Sequence, residues 1–509
     1  MKTSIISIGI CLLFILTVVP PMALGNNFRV LDKNKLVEYN ESRGQILDLA
    51  VTNSGSNDVS VLLGDGSGGF ELYQDYPVGS SPTNIVAGDF DVDGFLDLVV
   101  TNSGSNDVSI LFGDGNGGFS APQKYPSGDG PLFIVAGDFD VDGFLDLAVT
   151  DRDGNDVSIL LNDGTGSFSV PQNYPVGFSP LGIVAEDFNM DGFLDLAIGN
   201  KAYYISILFG DGNGGFGNPL DYHLWPKMPW YIVAEDFNMD EALDIAFTIG
   251  NDYAVGVLLN NGSGGFGNSQ FYLVVDFAFR LVVGDFNMDN YLDLAVTTAA
   301  VNRVNVLLGD GNGCFGEYQL FKVGNWPIGI VAGNFDMDKS LDLAVTNRDS
   351  NDVSVLFGDG NGGFSAPQNY AVGNYPMGIA AGDFNPNNPP DAPDIDIPSR
   401  WPVGVELCFN ISCTDPDNDN IKFLVCWGDG TRSETNYTES GVPIEICHTW
   451  EFMGLFIIYI KAIDIYGAES EWFTFEIEIP RNRASYISFL QWFLQRFQFF
   501  SNFLVDTIS

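Results

Sequence analysis

The sequence predicts an all-β fold, and three features of its repeats support that prediction. An aspartate in the phrase Leu-Asp-Leu/Ile-Ala/Val recurs seven times, each time 49 residues after the previous one. Each copy holds four short runs rich in β-branched residues, and Gly/Asp turns separate the runs. Such repeats are typical of a β-propeller, so seven copies predict a seven-bladed β-propeller. The recurring aspartates are Asp48, Asp97, Asp146, Asp195, Asp244, Asp293 and Asp342.

The third copy illustrates the expected order of strands and turns. Its apolar runs predict strands at 134–139, 145–150 and 157–161, and a weaker fourth strand from Phe168 onward. An acidic turn separates the first two strands, and an Asp163-Gly164 hairpin turn precedes the fourth. The residue that precedes the first strand by a few positions is usually proline, as at Pro131, and we expect a structural turn there.

The two ends of the repeat region predict how the ring closes. Residues 377–384 are an eighth version of the first strand, whereas residues 36–39 match that strand poorly in the first copy. We expect residues 377–384 to supply the missing strand of the first blade, which would remove an open sheet edge. The alternative is that residues 36–39 fill the place themselves.

The acidic turn of each copy has the spacing of a metal loop. In the second copy it reads Asp89-x-Asp91-x-Asp93-Gly94-x-x-Asp97. Carboxylates at positions 1, 3, 5 and 9 of a tight loop converge on one point, and a backbone carbonyl at position 7 adds another hard oxygen ligand of the kind Ca²⁺ prefers. Mg²⁺ fits less well because it requires a stricter octahedron, and the loops lack the His and Cys ligands of zinc sites. The alternative is a metal-free Asx-rich turn, but crowded carboxylates would then repel one another in every copy.

The predicted calcium ligands differ from copy to copy. Position 6 is glycine in copies two to four but Glu241, Asn290 and Lys339 in copies five to seven, so we expect weaker sites there. The first copy, with Asn40, Ser42 and Gly44, is expected to have lost its site. The predicted ligands are Asp89, Asp91, Asp93, Phe95 and Asp97; Asp138, Asp140, Asp142, Phe144 and Asp146; Asp187, Asn189, Asp191, Phe193 and Asp195; Asp236, Asn238, Asp240 and Asp244; Asp285, Asn287, Asp289 and Asp293; and Asn334, Asp336, Asp338 and Asp342.

The repeat phrases also resemble a known family. Residues 88–98 and 108–119, which read Gly-Asp-Phe-Asp-Val-Asp-Gly-Phe-Leu-Asp-Leu and Val-Ser-Ile-Leu-Phe-Gly-Asp-Gly-Asn-Gly-Gly-Phe, resemble FG-GAP/VCBS repeats. Those repeats are similar to the seven-bladed propeller of integrin α chains, and the resemblance covers residues 36–384. It implies that the calcium loops lie on one face of a disc and that ligands bind the opposite face. We expect about three to six Ca²⁺ ions.

Aromatic residues accumulate in the loops expected on that opposite face. The residue before the recurring proline is small in the early copies and large in several later ones. Exposed rings on a loop face suggest a surface that stacks on sugars or fills protein hot spots. The alternative is packing between blades around the central channel. The predicted ligand-binding residues are Phe178, Trp225, Trp230, Phe277, Trp326 and Tyr375, with Arg152, Tyr203, Tyr204, Tyr253, Arg303 and Arg348 of neighbouring loops as a second tier.

The sequence changes character after the repeats. Residues 385–394 are rich in Pro, Asn and Asp and predict a linker. Residues 395–480 contain Trp427-Gly428-Asp429-Gly430 and His448-Thr449-Trp450 and resemble a PKD domain, which implies an immunoglobulin-like β-sandwich. Asp415, Asp417 and Asp419 fit a solvated turn or a further calcium site. Within the tail 481–509, residues 486–504 follow helical spacing and predict an amphipathic helix that docks on a membrane interface or a partner, or packs on the sandwich.

The ends, cysteines and charge of the chain indicate its environment. Residues 1–25 predict a cleaved signal peptide before a repeat domain at 26–384, with an uncleaved anchor as the alternative. Four cysteines between 408 and 447 allow up to two disulfides, and Cys314 is left as an isolated thiol. The formal net charge of −45 argues against a nucleic-acid partner. We therefore expect a secreted or cell-surface protein.

These features favour a binding module over an enzyme. We expect adhesion to, or recognition of, a glycan or protein ligand through the face opposite the calcium loops. The sequence contains no nucleophile elbow, zinc signature or phosphate loop. A calcium-dependent polysaccharide lyase or hydrolase is the first alternative, and a structural component of the cell envelope is the second.

Overall fold

The computed structural model describes residues 46–480 except 72, 73, 251, 387, 396, 417 and 418. In that part of the chain every regular element is a β-strand, so the all-β prediction is confirmed. The predicted signal peptide, the start of the first copy and the tail 481–509 lie outside the described residues. None of the described residues belongs to a helix long and apolar enough to cross a membrane.

The described repeats form antiparallel sheets of four strands, which we number 1 to 7 by copy. Sheet 1 contains β1 (Asp48–Asn53), β2 (Asp58–Leu62) and β3 (Gln74–Pro77); sheet 2 contains β4 (Pro82–Gly88), β5 (Asp97–Asn102), β6 (Asp107–Leu111) and β7 (Gln123–Pro126); sheet 3 contains β8 (Pro131–Gly137), β9 (Asp146–Asp151), β10 (Asp156–Leu160) and β11 (Gln172–Pro175); sheet 4 contains β12 (Pro180–Glu186), β13 (Asp195–Asn200), β14 (Tyr204–Leu208) and β15 (Leu220–His223).

The later copies repeat the same order. Sheet 5 contains β16 (Pro229–Glu235), β17 (Asp244–Ile249), β18 (Ala254–Leu258) and β19 (Gln270–Leu273); sheet 6 contains β20 (Ala278–Gly284), β21 (Asp293–Thr298), β22 (Arg303–Leu307) and β23 (Gln319–Lys322); sheet 7 contains β24 (Pro327–Gly333), β25 (Asp342–Asn347), β26 (Asp352–Leu356) and β27 (Gln368–Ala371). The fourth strand of sheet 1 is β28 (Pro376–Gly382).

β28 fills the first position of sheet 1, as the sequence predicts. It pairs antiparallel with β1, and Ala380 lies opposite Ala50. The backbone N–H of Phe384 donates to the carboxylate of Asp48, which ties the end of the repeat region to its beginning. The prediction that residues 377–384 supply the missing strand of the first copy is therefore confirmed.

The first strands of the sheets contact one another in a cycle. β4 contacts β8, and the contacts continue through β12, β16, β20, β24 and β28, which in turn contacts β4. Apolar side chains fill the space between neighbouring sheets: Val59 and Val61 of β2 pack in one cluster with Leu98 of β5. The second strand of each sheet is buried along its whole length, which explains why the three residues after its first aspartate are apolar in succession rather than alternating with polar ones.

Arg280 links first strands that lie far apart in the chain. Its side chain extends from β20 to β4, where its guanidinium donates to the side-chain oxygen of Asn84 at 2.8 Å and to the carbonyl of Thr83 at 3.2 Å. The same guanidinium lies over the rings of Phe133 on β8 and Tyr231 on β16, at 5.0 and 5.5 Å from their centroids. One buried residue thus contacts sheets 2, 3 and 5 from sheet 6.

Two sequence expectations about strands are wrong in detail. The fourth strand of the third copy begins at Gln172 rather than Phe168, because its pairing with β10 shifts by one residue between the Phe168–Asn162 bridge and the Gln172–Ile159 pair. Phe168 makes only an isolated bridge with Asn162. Pro131 and its equivalents do not form a turn but begin the first strands, a position where a strand tolerates a missing donor.

The C-terminal part forms two further sheets. One contains β29 (Asp394–Ile395), β30 (Leu407–Ser412) and β33 (Ile444–His448), and the other contains β31 (Ile421–Cys426), β32 (Arg432–Glu434), β34 (Gly454–Asp464) and β35 (Phe473–Ile479). Both sheets contribute to one core, so the chain here is a two-layer sandwich. β29 begins at Asp394, the last residue of the predicted linker.

The cysteines form fewer bonds than their number allows. Cys408 and Cys447 form a disulfide between β30 and β33, whereas Cys413 and Cys426 are free. Cys314 is free and exposed, as predicted. The sandwich therefore holds one of its two possible disulfides.

Candidate functional site

The acidic loops of sheets 2 to 7 all occupy the same place in their sheets. Each loop joins the first strand to the second, and the residue at position 9 is the first residue of the second strand. In the second copy the carboxylate of Asp89 accepts hydrogen bonds from the backbone N–H groups of Asp93 and Gly94, at 3.2 and 3.0 Å. These bonds hold the residues at positions 5 and 6 close to the first residue of the loop. All predicted ligands of copies two to seven lie in these loops.

The loop brings carboxylate oxygens close together in two copies. Ligand atoms of Asp89, Asp91 and Asp97 all lie within 4.8 Å of one another, and so do those of the equivalent residues Asp138, Asp140 and Asp146. The Oδ1 atoms of Asp91 and Asp140 are buried and have no hydrogen-bond partner among the described residues. Converging hard oxygens with unused acceptor capacity fit a calcium ion.

The aspartate at position 9 is buried in each of these six sheets. Burial, together with the neighbouring charges of Asp91 and Asp93, raises the pKa of Asp97 to about 7, although the backbone N–H groups of Gly113 and Phe90 oppose this shift by donating to its carboxylate. The pKa of the equivalent residue is likewise raised to about 7 by burial in the other five loops. A buried carboxylate with acidic neighbours gains most from a nearby cation.

The backbone of the loop is left-handed at two positions in all six copies. Position 4 has a φ of about 60° even where it is the β-branched Val92 or Val141. Position 6 has a φ of 94° at Gly94, and the non-glycine residues Glu241 and Lys339 adopt 71° and 85°. Asn290 completes the set at 67°. The later copies therefore keep the loop conformation of the earlier ones despite the changes at position 6.

Copies seven and one differ from this pattern. In copy seven, position 1 is Asn334, whose side-chain oxygen accepts a hydrogen bond from the N–H of Asp338 at 3.1 Å. In sheet 1, burial raises the pKa of Asp48 to about 6, and this residue accepts from Gly64, Phe384 and Asn385. Asn40, Ser42 and Gly44 lie outside the described residues, so the loss of the first site stays a prediction.

An apolar pocket lies at the other end of sheets 5, 6 and 7. It has a volume of about 270 Å³. Two kinds of segment line it: those that follow the second strands β17 and β21, and those that begin the first strands β16, β20 and β24. Because neighbouring strands are antiparallel, both kinds lie at the end opposite the acidic loops. The lining residues are Trp230, Gly250, Phe277, Ala278, Phe279, Ala299, Ala300 and Trp326.

Three of the six predicted ligand-binding aromatics meet in this pocket. Trp230, Phe277 and Trp326 line it. Trp225 packs instead against Tyr203, with ring centroids 4.7 Å apart, and its side chain is 75% exposed. Phe178 and Tyr375 are exposed and do not line the pocket.

The alternative interpretation, packing within the fold, also holds for part of the set. Trp230 is half-buried and packs at the edge of the core between sheets 3 and 4. Trp326 is half-buried beneath the guanidinium of Arg348, which lies 4.6 Å from its ring centroid. Phe277 is 43% exposed and packs edge-on against Tyr253. Each ring of the pocket is thus held by a neighbour while one side remains accessible.

Sequence reasoning missed the small residues of the pocket. The loop after the second strand is polar in sheet 2, where it reads Ser103-Gly104-Ser105, but in sheet 6 it reads Ala299-Ala300-Val301. Gly250 takes the corresponding place in sheet 5. A comparison of the copies at this loop would have identified the pocket, because loss of polar residues from a surface loop is unusual.

Comparison with known proteins supports the repeat assignment. The family model described as FG-GAP-like repeat matches residues 45–100, 89–149 and 138–198. The chain carries FG-GAP-like repeats. The matched copies are those whose acidic loops are best preserved, and the FG-GAP-like phrase continues at the same spacing through copies four to seven.

The C-terminal sandwich has a relative among solved structures. This chain is 34% identical to the PKD domain of an M14-like peptidase from Thermoplasmatales archaeon SCGC AB-540-F20, covering 99% of that chain and 19% of this one, with a TM-score of 0.18. The sequence identity supports the PKD assignment of the part that follows the FG-GAP-like repeats. The stacked rings of Trp427 and His448 and the 2.8 Å contact of His448 with Asp429 show the quoted PKD motifs meeting in space.

Other solved structures are more distant. A functionally unknown protein from Desulfotomaculum acetoxidans DSM 771 is 12% identical, with 66% of this chain and 98% of that chain covered at a TM-score of 0.49. The fibronectin(III)-like modules of CbhA from Clostridium thermocellum are 13% identical, with 40% and 96% covered at a TM-score of 0.18. No curated protein sequence matches the chain.

Proposed function

We propose that the chain is a secreted or cell-surface recognition protein, built from a calcium-binding seven-bladed β-propeller and a PKD sandwich. It binds a glycan or protein ligand through the face opposite its acidic loops. The observation that carries the proposal is the separation of two sites at opposite ends of the same sheets: carboxylate loops at one end and an aromatic pocket at the other. Binding without catalysis is the role proposed for the pocket.

The cyclic contacts support the propeller. The first strands contact one another in an order that returns to its start after seven sheets, and β28 supplies the strand that the first copy lacks. Arg280 reaches from one first strand to those of three other sheets, as expected if these strands surround a common centre. A propeller satisfies both observations, because its first strands line one central channel.

The chemistry of the acidic loops supports calcium. The donors are carboxylates, amide oxygens and a backbone carbonyl, which is the ligand set of a hard cation. Asp89, Asp91, Asp93, Phe95 and Asp97 would hold the ion in copy two, and their equivalents in copies three to seven would do the same. A bound ion would also offset the backbone strain of the two left-handed positions.

The positions of the two histidines described here favour recognition over catalysis. His223 ends the outer strand β15 and packs on Tyr204, while His448 lies in the sandwich against Trp427. Neither lines the pocket. A calcium-dependent lyase or hydrolase would need an acid or base beside its ligand, and the described lining of the pocket contains no carboxylate.

Retention on cell-envelope material tests the proposed function. The full chain is passed over insoluble polysaccharides and envelope fractions in calcium or EDTA, and the supernatant is assayed for sugar fragments. We expect calcium-dependent retention without fragments, weakened at least about tenfold by Trp326→Ala, as for loss of an interface hot spot. Tyr318→Ala, an exposed ring just before β23 at the end of sheet 6 that carries the acidic loop, is the matched control. Fragment release would replace the proposal with an enzyme, and no retention would contradict it.

A further inference from the structure

The described residues that line the pocket are all glycine, alanine or aromatic residues. Sheet 6 departs from the repeat at three places that converge here: Ala278 replaces the recurring proline, Phe277 precedes it, and Ala299-Ala300 replace a polar loop. Trp230 and Trp326 complete the walls from the neighbouring sheets. Because these three changes from the repeat sequence meet in one pocket, they indicate a ligand site rather than neutral variation of the repeat.

The repeat itself sets the backbone at Trp326. Trp326 has a φ of 58°, and the equivalent residues Ser81, Gly130, Ser179 and Tyr375 have φ values between 52° and 67°. The left-handed backbone at this place is therefore a property of the repeat, and in sheet 7 it presents the Trp326 ring to the pocket.

The polarity of the pocket decides between the two ligand classes of the proposed function. A sugar ring has hydroxyl groups on its edge, and each one buried without a partner costs about 1–3 kcal/mol. Among the described lining side chains the hydrogen-bonding groups are the indole N–H groups of Trp230 and Trp326, and that of Trp326 is buried and has no partner. A hydrocarbon or aromatic group needs no such partners and gains from leaving water.

The size and charge of the pocket define the group further. A cavity of about 270 Å³ lies below the usual range of small-molecule sites and suits a single side chain. Lys201 lies 5.7 Å from the Trp230 ring centroid, and Arg348 lies against Trp326. Five of the nine Lys and Arg residues between 46 and 384 lie in loops or at a strand end on this face of a strongly acidic chain, and three of them form ion pairs with Asp153, Asp252 and Asp349: Arg152, Lys201, Lys227, Arg303 and Arg348.

We infer that this pocket receives one aromatic or aliphatic side chain of a protein partner, presented on a surface with acidic residues beside it. The inference rests on the proposed function, because it specifies which ligand the recognition face takes. The apolar side chain supplies affinity as a buried anchor. The cations at the rim favour acidic neighbours, which the rest of this chain would repel.

Indole N–H resonances of the full chain test this assignment with defined probes. The probes are the peptides acetyl-Asp-Trp-Asp-amide and acetyl-Lys-Trp-Lys-amide and the sugars methyl glucoside and cellobiose. We expect the peptides to shift the Trp326 and Trp230 resonances, with the acidic peptide binding several-fold more tightly at low salt, and the sugars to shift neither. Trp326→Gly removes one wall and identifies its resonance.

A pair of matched variants distinguishes loss of binding caused by blocking the pocket from loss of binding caused by unfolding. Ala300→Gln places a polar side chain in the pocket, while Ala202→Gln makes the same change at the equivalent loop position of sheet 4. We expect Ala300→Gln to abolish the peptide-induced shifts and Ala202→Gln to preserve them, with both variants melting as the parent does.

Each other outcome overturns the assignment. Shifts caused by the sugars would make the pocket a carbohydrate site, and peptide shifts that survive Ala300→Gln would place the binding elsewhere. No shift with any probe would remove the pocket as a ligand site of either class. Retention on envelope material that still depends on Trp326 would then leave the recognition face in place and contradict only the ligand class.

Discussion

Single residues of the acidic loops show which backbone the repeat imposes. Position 6 keeps a left-handed conformation whether it is Gly94, Asn290, Glu241 or Lys339. Non-glycine residues lose about 1–2 kcal/mol in this conformation, and asparagine tolerates it best. The loop conformation is therefore set by its hydrogen bonds and its surroundings rather than by the residue at position 6.

Glycine substitutions at position 6 measure that strain. We expect Lys339→Gly and Glu241→Gly each to raise the free energy of unfolding by up to about 1 kcal/mol, because the relief of strain exceeds the entropy that glycine adds to the unfolded chain. Asn290→Gly should change it least. Chemical denaturation of the three variants checks the order. A loss of stability in Lys339→Gly would mean that its side chain makes a contact worth more than the strain.

A second residue-scale feature is Asp151, which stands where sheets 1, 2, 4 and 7 carry asparagine. Asn102 donates from its side-chain nitrogen to Asp107 at 2.8 Å and to Ser109 at 2.9 Å. Asp151 cannot donate in this way, and the Oδ1 of Asp156 beside it is buried without a hydrogen-bond partner. Burial raises the pKa of Asp151 to about 7, and the charge of Asp156 adds to the effect.

Asp151→Asn should therefore stabilise the protein in a pH-dependent way. The folded state holds a proton on Asp151 up to about pH 7, whereas the unfolded chain releases it near pH 4, so the stability of the parent falls as pH rises through that window. About three pKa units set an upper bound of about 4 kcal/mol on the gain. We expect the variant to melt higher at pH 8 and to lose most of its advantage at pH 4.5.

The reverse substitution provides the control for Asp151. Asn102→Asp places a carboxylate opposite Asp107 in sheet 2 and should lower the melting temperature at pH 8 by a similar amount. Equal effects of Asp151→Asn at both pH values would show that the carboxylate is not protonated by burial.

At the scale of elements, β28 decides whether the repeats close. It comes from the end of the repeat region, yet it occupies the first position of sheet 1 and its Ile379 is as buried as Ile330 of β24. If β28 joined sheet 1 only loosely, it would contribute little to the stability of the protein. If it is an integral part of the sheet, it should contribute as much as the equivalent strand β24.

Paired alanine substitutions test the closure. Ile379→Ala and Ile330→Ala remove the same side chain from equivalent places in sheets 1 and 7, and each should cost about 2–4 kcal/mol. Thermal unfolding and hydrogen exchange of the backbone N–H groups of β1 provide the measurements. If Ile379→Ala left stability unchanged while Ile330→Ala lowered it, β28 would not be part of the folded core.

At the scale of the whole molecule, the net charge of −45 is concentrated in part at one end of the sheets. Carboxylates of the six acidic loops repel one another within each loop unless a cation offsets their charge. A ligand at a hundred times its dissociation constant stabilises by about 2.7 kcal/mol per site. Several such sites rival the whole stability of an ordinary domain, which is about 5–15 kcal/mol.

Removal of calcium should accordingly unfold the repeats at lower temperature. We expect EDTA to lower the melting temperature by on the order of 10 °C or more, and added Ca²⁺ to restore it where Mg²⁺ does not. Asp91→Asn should reduce the difference between the two conditions, because it removes one charge from the best-preserved type of loop. Glu317→Gln, an exposed residue outside the loops, is the charge-matched control. An identical melt in EDTA would contradict the metal assignment.

The sequence by itself determined the features that repeat. A constant step of 49 residues specifies the four-stranded sheets, the place of each acidic loop and the strand that closes sheet 1, because periodicity and turn chemistry are local properties. It also determined the PKD assignment through short motifs. It placed the fourth strand too early, because the one-residue shift of register between the Phe168–Asn162 bridge and the Gln172–Ile159 pair leaves no mark in the sequence pattern.

The tertiary structure alone decided which side chains meet. Trp230, Phe277 and Trp326 form one pocket while Trp225, Phe178 and Tyr375 do not, since that outcome depends on the small residues Gly250, Ala299 and Ala300 of other loops. Arg280 reaches Asn84 across 196 residues of sequence. Such contacts depend on how seven sheets are arranged about one another, and a pattern read along a single copy contains no information on that arrangement.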